Sequence, residues 1–255
     1  GIAVQLALST LTSAQTDNTY EVVLSDEDVM VAMRDGVRLA TDVYRPARSE
    51  QLIDIPLPVL LQRTPYGKQG RGLVERAHYF VEHGYVVVLQ DIRGRYNSEG
   101  VFSKYHDFDA PDGYDTVEWI ASLPYASGDV GMFGTSYGAH TQADAAKMNP
   151  PHLRALLLNQ GGISTPWAHK VRNHGAFELG QQLGWAFDQL RLSSDPVVRA
   201  TFQTEDVADW FAAMPLRPGL SPLRGAPEFE DYVLTQLTRG DDAPPDADFR
   251  HWTRV

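Results

Sequence analysis

The chain contains no cysteine in its 255 residues. Disulfide staples, thiolate nucleophiles and cysteine-ligated metal centres are therefore excluded, and neither redox compartment is indicated. Basic residues are also scarce: 22 lysines and arginines stand against 33 acidic residues, a net charge of −11. Such a surface repels phosphate backbones, so no nucleic-acid partner is expected. No apolar run reaches the length of a membrane span, and none is expected. What remains is an ordinary globular composition, 43% hydrophobic and 22% charged. It suffices for one large α/β domain with a buried core.

Residues 1–19 read as a leader or mobile amino terminus. Residues 4–11 are mostly apolar and run into Thr12-Ser13-Ala14-Gln15, a small-residue stretch that fits a signal-peptidase site. No basic segment precedes them, so at most this is the tail of a signal peptide. Export and cytoplasmic residence stay equally open.

Beyond this the chain alternates. A short apolar run at 29–33, a turn at Asp35-Gly36 and a returning strand over 37–44 predict a hairpin. A strand is expected at 59–62, a helix over 73–83 stopped by Gly84, and a buried strand over 85–90. A polar loop, 91–100, leads to a helix over 112–123. Gly128-Asp129 then turns the chain into another strand. A helix follows over 139–148 and a last strand over 154–159. A hairpin followed by alternating strands and helices predicts a mostly parallel sheet. From 167 to 252 several helices and no convincing strand are expected. One carries Leu179, Leu183, Ala186, Phe187 and Leu190 on a single face; a second opens at Asp195-Pro196. Two more are expected over 205–214 and 228–239, and Trp185, Phe187, Trp210 and Phe211 fit the core of this helical block.

The most informative stretch is Gly134-Thr135-Ser136-Tyr137-Gly138, a G-x-S-x-G motif between a predicted strand and a predicted helix. In that setting it reads as the nucleophile elbow of an α/β-hydrolase, where glycines relieve a strained turn and leave the serine exposed. The pattern alone is weak; the strand–turn–helix context gives it weight.

Four segments together resemble the family of cocaine esterase and X-Pro dipeptidyl-peptidase, with α-amino-acid ester hydrolases and glutaryl acylases. They are Met33-Arg34-Asp35-Gly36-Val37 with Leu39, Arg63-Thr64-Pro65-Tyr66, Gln90-Asp91-Ile92-Arg93-Gly94 through Ser98-Glu99-Gly100, and Gly113 to Trp119 running on to Tyr137. The resemblance implies an α/β-hydrolase fold with an inserted helical cap and a serine hydrolase acting through an acyl-enzyme. Ser136 would be the nucleophile, the backbone N–H of Tyr137 one oxyanion donor, and the Tyr66 hydroxyl the other. Trp167, where the chain enters the cap, would line the acyl pocket; an ordinary core tryptophan is the equal alternative.

A serine nucleophile needs a base and an orienting carboxylate, which in this fold follow the serine in chain order. The resemblance places both after the cap, and the chain is expected to stop before them and before a carboxy-terminal β-sandwich. The organisation expected is 1–19 leader, 20–164 first part of the hydrolase core, 165–250 cap and 251–255 the end of a fragment. Asp231 or Asp246 with His251 formally completes a triad but lies in cap and tail. His140, one turn after Ser136, suits packing better than catalysis. Asp91, Arg93 and Glu99 read as a loop ordered by ion pairs. His106, Asp107, Asp109 and Asp112 match no established metal spacing, so no metal and no cofactor is expected.

The reading is a serine esterase, acylase or peptidase whose partner is a small ester, amide or peptide. The remainder of the enzyme as a second chain, or a further copy of this one, are open partners. The alternatives are an X-Pro dipeptidyl aminopeptidase, an acyltransferase using the same acyl-enzyme, and a non-catalytic hydrolase-like binding protein. Retention of both Ser136 and Tyr66 argues against the last, since binding alone requires neither.

Overall fold

The computed structural model describes residues 19–102, 104, 108–161, 172–173, 176–212, 214–231 and 233–234. β1 (Glu21–Ala32) and β2 (Arg38–Arg48) form the expected hairpin, longer than its apolar signal because paired polar residues extend both arms. β3 (Gln51–Leu52) adds a short pairing to β2. Then come β4 (Leu57–Thr64), α1 (Arg71–Glu82), β5 (Val86–Asp91) and α2 (Asp109–Ala121). β6 (Ala126–Thr135), α3 (Tyr137–Lys147) and β7 (Leu153–Asn159) complete the sheet layer.

The sheet order is β1-β2-β5-β4-β6-β7. β1 and β2 are antiparallel to their neighbours, whereas β5, β4, β6 and β7 run parallel. Period-two alternation sorts the side chains into two cores. Val87 and Leu89 of β5 and Phe133 of β6 face α1, which buries Leu73, Ala77 and Val81 against them. Val86 and Val88, with Val59, Leu61, Val130 and Met132, face α2 and α3. All six residues of β5 are buried, as a strand covered on both faces requires. β7 is the exposed edge, with Leu157 63% accessible.

Three expectations shift. α2 starts at Asp109 rather than 112, because Asp109 and Asp112 are both acceptable in a first turn, where the helix dipole favours acids. Gly128-Asp129 lies inside β6; the turn residue instead marks an irregular register against β4. The stretch read as strandless contains a two-residue pairing, β8 (Arg172–Asn173) with β9 (Ala176–Phe177).

The helices after β9 are α4 (Leu179–Arg191), α5 (Pro196–Thr204), α6 (Val207–Ala212) and α7 (Pro227–Asp231), with a 3-10 turn at Pro222–Gly225. Asp195 caps α5 as expected, accepting from the N–H groups of Val197 and Val198. Leu183, Ala186, Phe187 and Leu190 are buried with Phe202, Leu223 and Phe229 in a cluster that also takes Ile92, Phe102 and Tyr137 from the sheet layer. Trp185 and Trp210 pack against it. Phe211 does not belong to that core: it is exposed, because six-residue α6 turns only its Trp210 side inward. The expected helix over 228–239 is described only to Asp231, and the residues beyond 234 lie outside the described set.

Candidate active site

β6 delivers the chain to Ser136, and α3 begins one residue later. Ser136 adopts φ 58° and ψ −117°, a combination that costs a residue with a Cβ about 1–3 kcal/mol. Neighbouring backbone holds it there. The Ser136 N–H donates to the Asn159 carbonyl at 2.9 Å, and its own carbonyl accepts from Ala139 at 3.0 Å. The turn closes so tightly that a Cβ on Gly134 would lie 2.7 Å from the Gly138 carbonyl oxygen. A Cβ on Gly161, in the segment after β7, would lie 2.5 Å from the Ser136 carbonyl oxygen. Both positions therefore need glycine. The outcome is an exposed serine above a helix whose next residues are buried.

Tyr66 follows β4, the sheet neighbour of β6, so the loops at their carboxyl ends emerge side by side. Its hydroxyl stands 3.4 Å from Ser136 Oγ. The loop that carries it is fixed on both flanks. Before it, Arg95 Nε donates to the Pro65 carbonyl at 3.0 Å, and the Tyr66 N–H donates to Thr64 Oγ1. After it, the Lys68 N–H donates to Asp91 Oδ1 at 2.7 Å. The buried Lys68 ammonium sits between Asp28 and Asp42 at 2.7 and 2.8 Å. Burial pushes the Asp91 carboxyl up to about 7, against the opposing pull of the Lys68 N–H and charge.

Tyr137 opens α3 directly after Ser136. Its phenol is buried and donates to Asp109 Oδ2 at 2.7 Å. Burial raises Asp109 to about 7, while Arg63, whose guanidinium also donates to the Asp109 carbonyl, counteracts it. The tyrosine side chain thus ties α3 to α2.

The remaining expected residues are placed as follows. Arg93 pairs with Asp112 at 2.6 Å and Asp35 at 2.7 Å, and Glu99 pairs with Arg38, so the 91–100 loop is ordered by ion pairs. His140 is buried on α3, its backbone N–H donating to the Ser136 carbonyl at 3.3 Å. His152 pairs with Glu118, and His83 bonds the Tyr79 carbonyl. Among the described residues, no histidine is hydrogen-bonded to the Ser136 hydroxyl, and no cluster of His, Asp and Glu forms a metal site. Asp231 ends α7. Trp167, His106, Asp107, Asp246 and His251 lie outside the described residues.

Lys68 and Arg95 were not singled out from the sequence, and Arg63 entered only as part of the Arg63-Thr64-Pro65-Tyr66 segment. Each is a buried cation, and nothing in local periodicity separates a buried lysine or arginine from a solvated one. The one available signal was position: each sits within five residues of the carboxyl end of a sheet strand.

The chain is 40% identical over 178 residues to a cocaine esterase from Rhodococcus sp. (strain MB1 Bresler), across 67% of its own length and 29% of that protein's. A CocE/NonD family hydrolase from Staphylococcus aureus superposes with a TM-score of 0.55 at 25% identity, covering 71% of this chain and 36% of that one. An alpha-amino acid ester hydrolase structure gives 0.50 at 27% identity, covering 73% and 33%. The fold is thus that of the α/β-hydrolases, and the chain spans about a third of the length of the relatives it matches. The family described as X-Pro dipeptidyl-peptidase (S15 family) matches residues 35–241, and the chain belongs to it.

Proposed function

We propose that this chain carries the nucleophile and oxyanion site of a serine hydrolase that cleaves carboxylic esters or amides. One observation carries the reading: an exposed serine in a strained turn, with a tyrosine hydroxyl from the neighbouring loop 3.4 Å from its Oγ. Ser136 Oγ attacks the substrate carbonyl carbon and gives its proton to a base. The carbonyl oxygen becomes an oxyanion, which accepts hydrogen bonds from the Tyr137 N–H and the Tyr66 hydroxyl. Collapse expels the alcohol or amine, which takes the proton from the base, and water then releases the acid from Ser136.

The base is proposed to lie outside the described residues, since among those no histidine is hydrogen-bonded to the Ser136 hydroxyl. Residues 20–164 are proposed as the first part of the hydrolase core and 165–250 as its cap. Support comes from the helical cluster, which packs on Ile92, Phe102 and Tyr137 beside the serine turn. Trp167 is proposed to wall the acyl pocket on family resemblance alone. The substrate is a small ester, amide or peptide.

Intact mass after treatment with a fluorophosphonate probe tests the reading. The full-length protein should gain one label that Ser136→Ala abolishes. Equal labelling of Ser136→Ala would remove Ser136 as the nucleophile. Stoichiometric labelling of these 255 residues alone would place the base within them.

A further inference from the structure

Arg95 is a buried cation outside the chemistry just described, only 6% accessible. Desolvating a guanidinium is costly, so such a residue is held where its contacts offset that cost. Its contacts reach two separate parts of the molecule. Nε donates to the carbonyl of Pro65, the residue before Tyr66, at 3.0 Å. Nη2 donates to Gln189 Oε1 of α4 at 3.3 Å. The guanidinium also lies 5.3 Å from the Phe102 ring centre and 5.5 Å from that of Phe229 in α7. Both rings belong to the cluster that joins the helical segment to the sheet layer.

The two flanks of Tyr66 are therefore anchored differently. Lys68, on the far flank, is tied to β1, β2 and the end of β5, all in the sheet. Pro65, on the near flank, is tied to Arg95, whose guanidinium also bonds Gln189 of α4 and lies by Phe229 of α7, besides the Tyr96 and Phe102 rings nearby in sequence. Tyr66 itself packs against the same cluster. A shift of α4 or α7 would reach the Pro65 carbonyl through one planar guanidinium, whose Nε and Nη2 make the two bonds, and the next residue bears the hydroxyl facing Ser136.

We propose that Arg95 is a positioning residue that couples the seating of the helical segment to the alignment of the Tyr66 hydroxyl against Ser136. The proposal rests on the reading of Ser136 and Tyr66 as nucleophile and oxyanion donor. Its consequence is that disturbing the helical segment far from the serine lowers turnover through Tyr66. Misalignment of a donor by a fraction of an ångström is enough, because such geometry is held within about 0.5 Å.

The test is a double-mutant cycle in the full-length protein, with a p-nitrophenyl ester as substrate. Arg95→Met should lower kcat about tenfold or more and leave KM within about twofold. In a Tyr66→Phe background the same change should cost less than about twofold, because the group it positions is gone. Gln189→Leu cuts the link from the helical side with little change of volume, and it serves if Arg95→Met does not fold. Its smaller loss, about threefold, should vanish in the same background. A purely structural role would give equal losses with and without the tyrosine hydroxyl, which would overturn the coupling, as would no loss at all. Ser136→Ala distinguishes the two levels. Turnover abolished there with additive Arg95 losses removes only the coupling; turnover retained removes the functional reading and the coupling with it.

Discussion

The Tyr66 hydroxyl meets Ser136 Oγ at 3.4 Å across seventy residues of sequence. The contact exists because β4 and β6 are adjacent and parallel, so the loops leaving them share one edge of the sheet. If the phenol stabilises an oxyanion, Tyr66→Phe should lower kcat about 100-fold or more with little change in KM. Stability should barely move, since the hydroxyl is the only group removed. Steady-state kinetics and a thermal melt on the same preparation check both; unchanged kcat would assign the hydroxyl no catalytic part.

Gly161 lies against the serine turn. A methyl there would stand 2.5 Å from the Ser136 carbonyl oxygen and 2.6 Å from Ala139 Cβ. Neither neighbour is the free end of a flexible side chain. Gly161→Ala should therefore destabilise by about 1–3 kcal/mol and slow fluorophosphonate labelling about tenfold or more. Urea unfolding and labelling rates read the two effects; wild-type values in both would mean that the turn has room.

Lys68 offers a test of the other anchor of the Tyr66 loop. Its ammonium contacts Asp42, which is fully buried, and Asp28, which can rehydrate. Lys68→Met leaves the Asp42 carboxylate without its cation and should cost about 3–5 kcal/mol. Adding Asp42→Asn should recover part of that loss. Denaturant titration of the single and double variants decides, and a single-variant cost below about 1 kcal/mol would contradict the buried pairing.

Asp91 should make stability depend on pH. Burial lifts its carboxyl to about 7 from an ordinary 3.8. Between those values the folded state keeps a proton that the unfolded chain has lost, so this group's contribution to stability falls as pH rises through that window. Above about 7 the loss is complete. Asp91→Asn can still accept the Lys68 N–H but cannot ionise. Relative to wild type, the variant should gain stability between about pH 5 and about pH 8. Thermal melts across that range would show a constant difference if Asp91 were ionised throughout.

Much of the architecture was legible because it is written in short windows. A continuous apolar run marked β5, the apolar face from Leu179 to Leu190 marked α4, and Asp195-Pro196 marked the start of α5. Element edges were read less well where polar pairing, not apolar periodicity, extended the strand, as at the start of β1. Phe211 was misplaced because a six-residue helix is too short for helical spacing to define a buried face.

The sequence by itself determined that a serine stands between a strand and a helix, flanked by glycines of which Gly134 is one the turn cannot do without. It also marked Tyr66 through resemblance, although not by any local signal that says what the phenol touches. Only the tertiary structure decided that Tyr66 faces Ser136, that Tyr137 spends its side chain on Asp109, and that Lys68 and Arg95 are buried anchors. The reason is physical. Periodicity and turn chemistry act over a few neighbouring residues, whereas these contacts depend on which strands lie side by side and on which charges the helices cover.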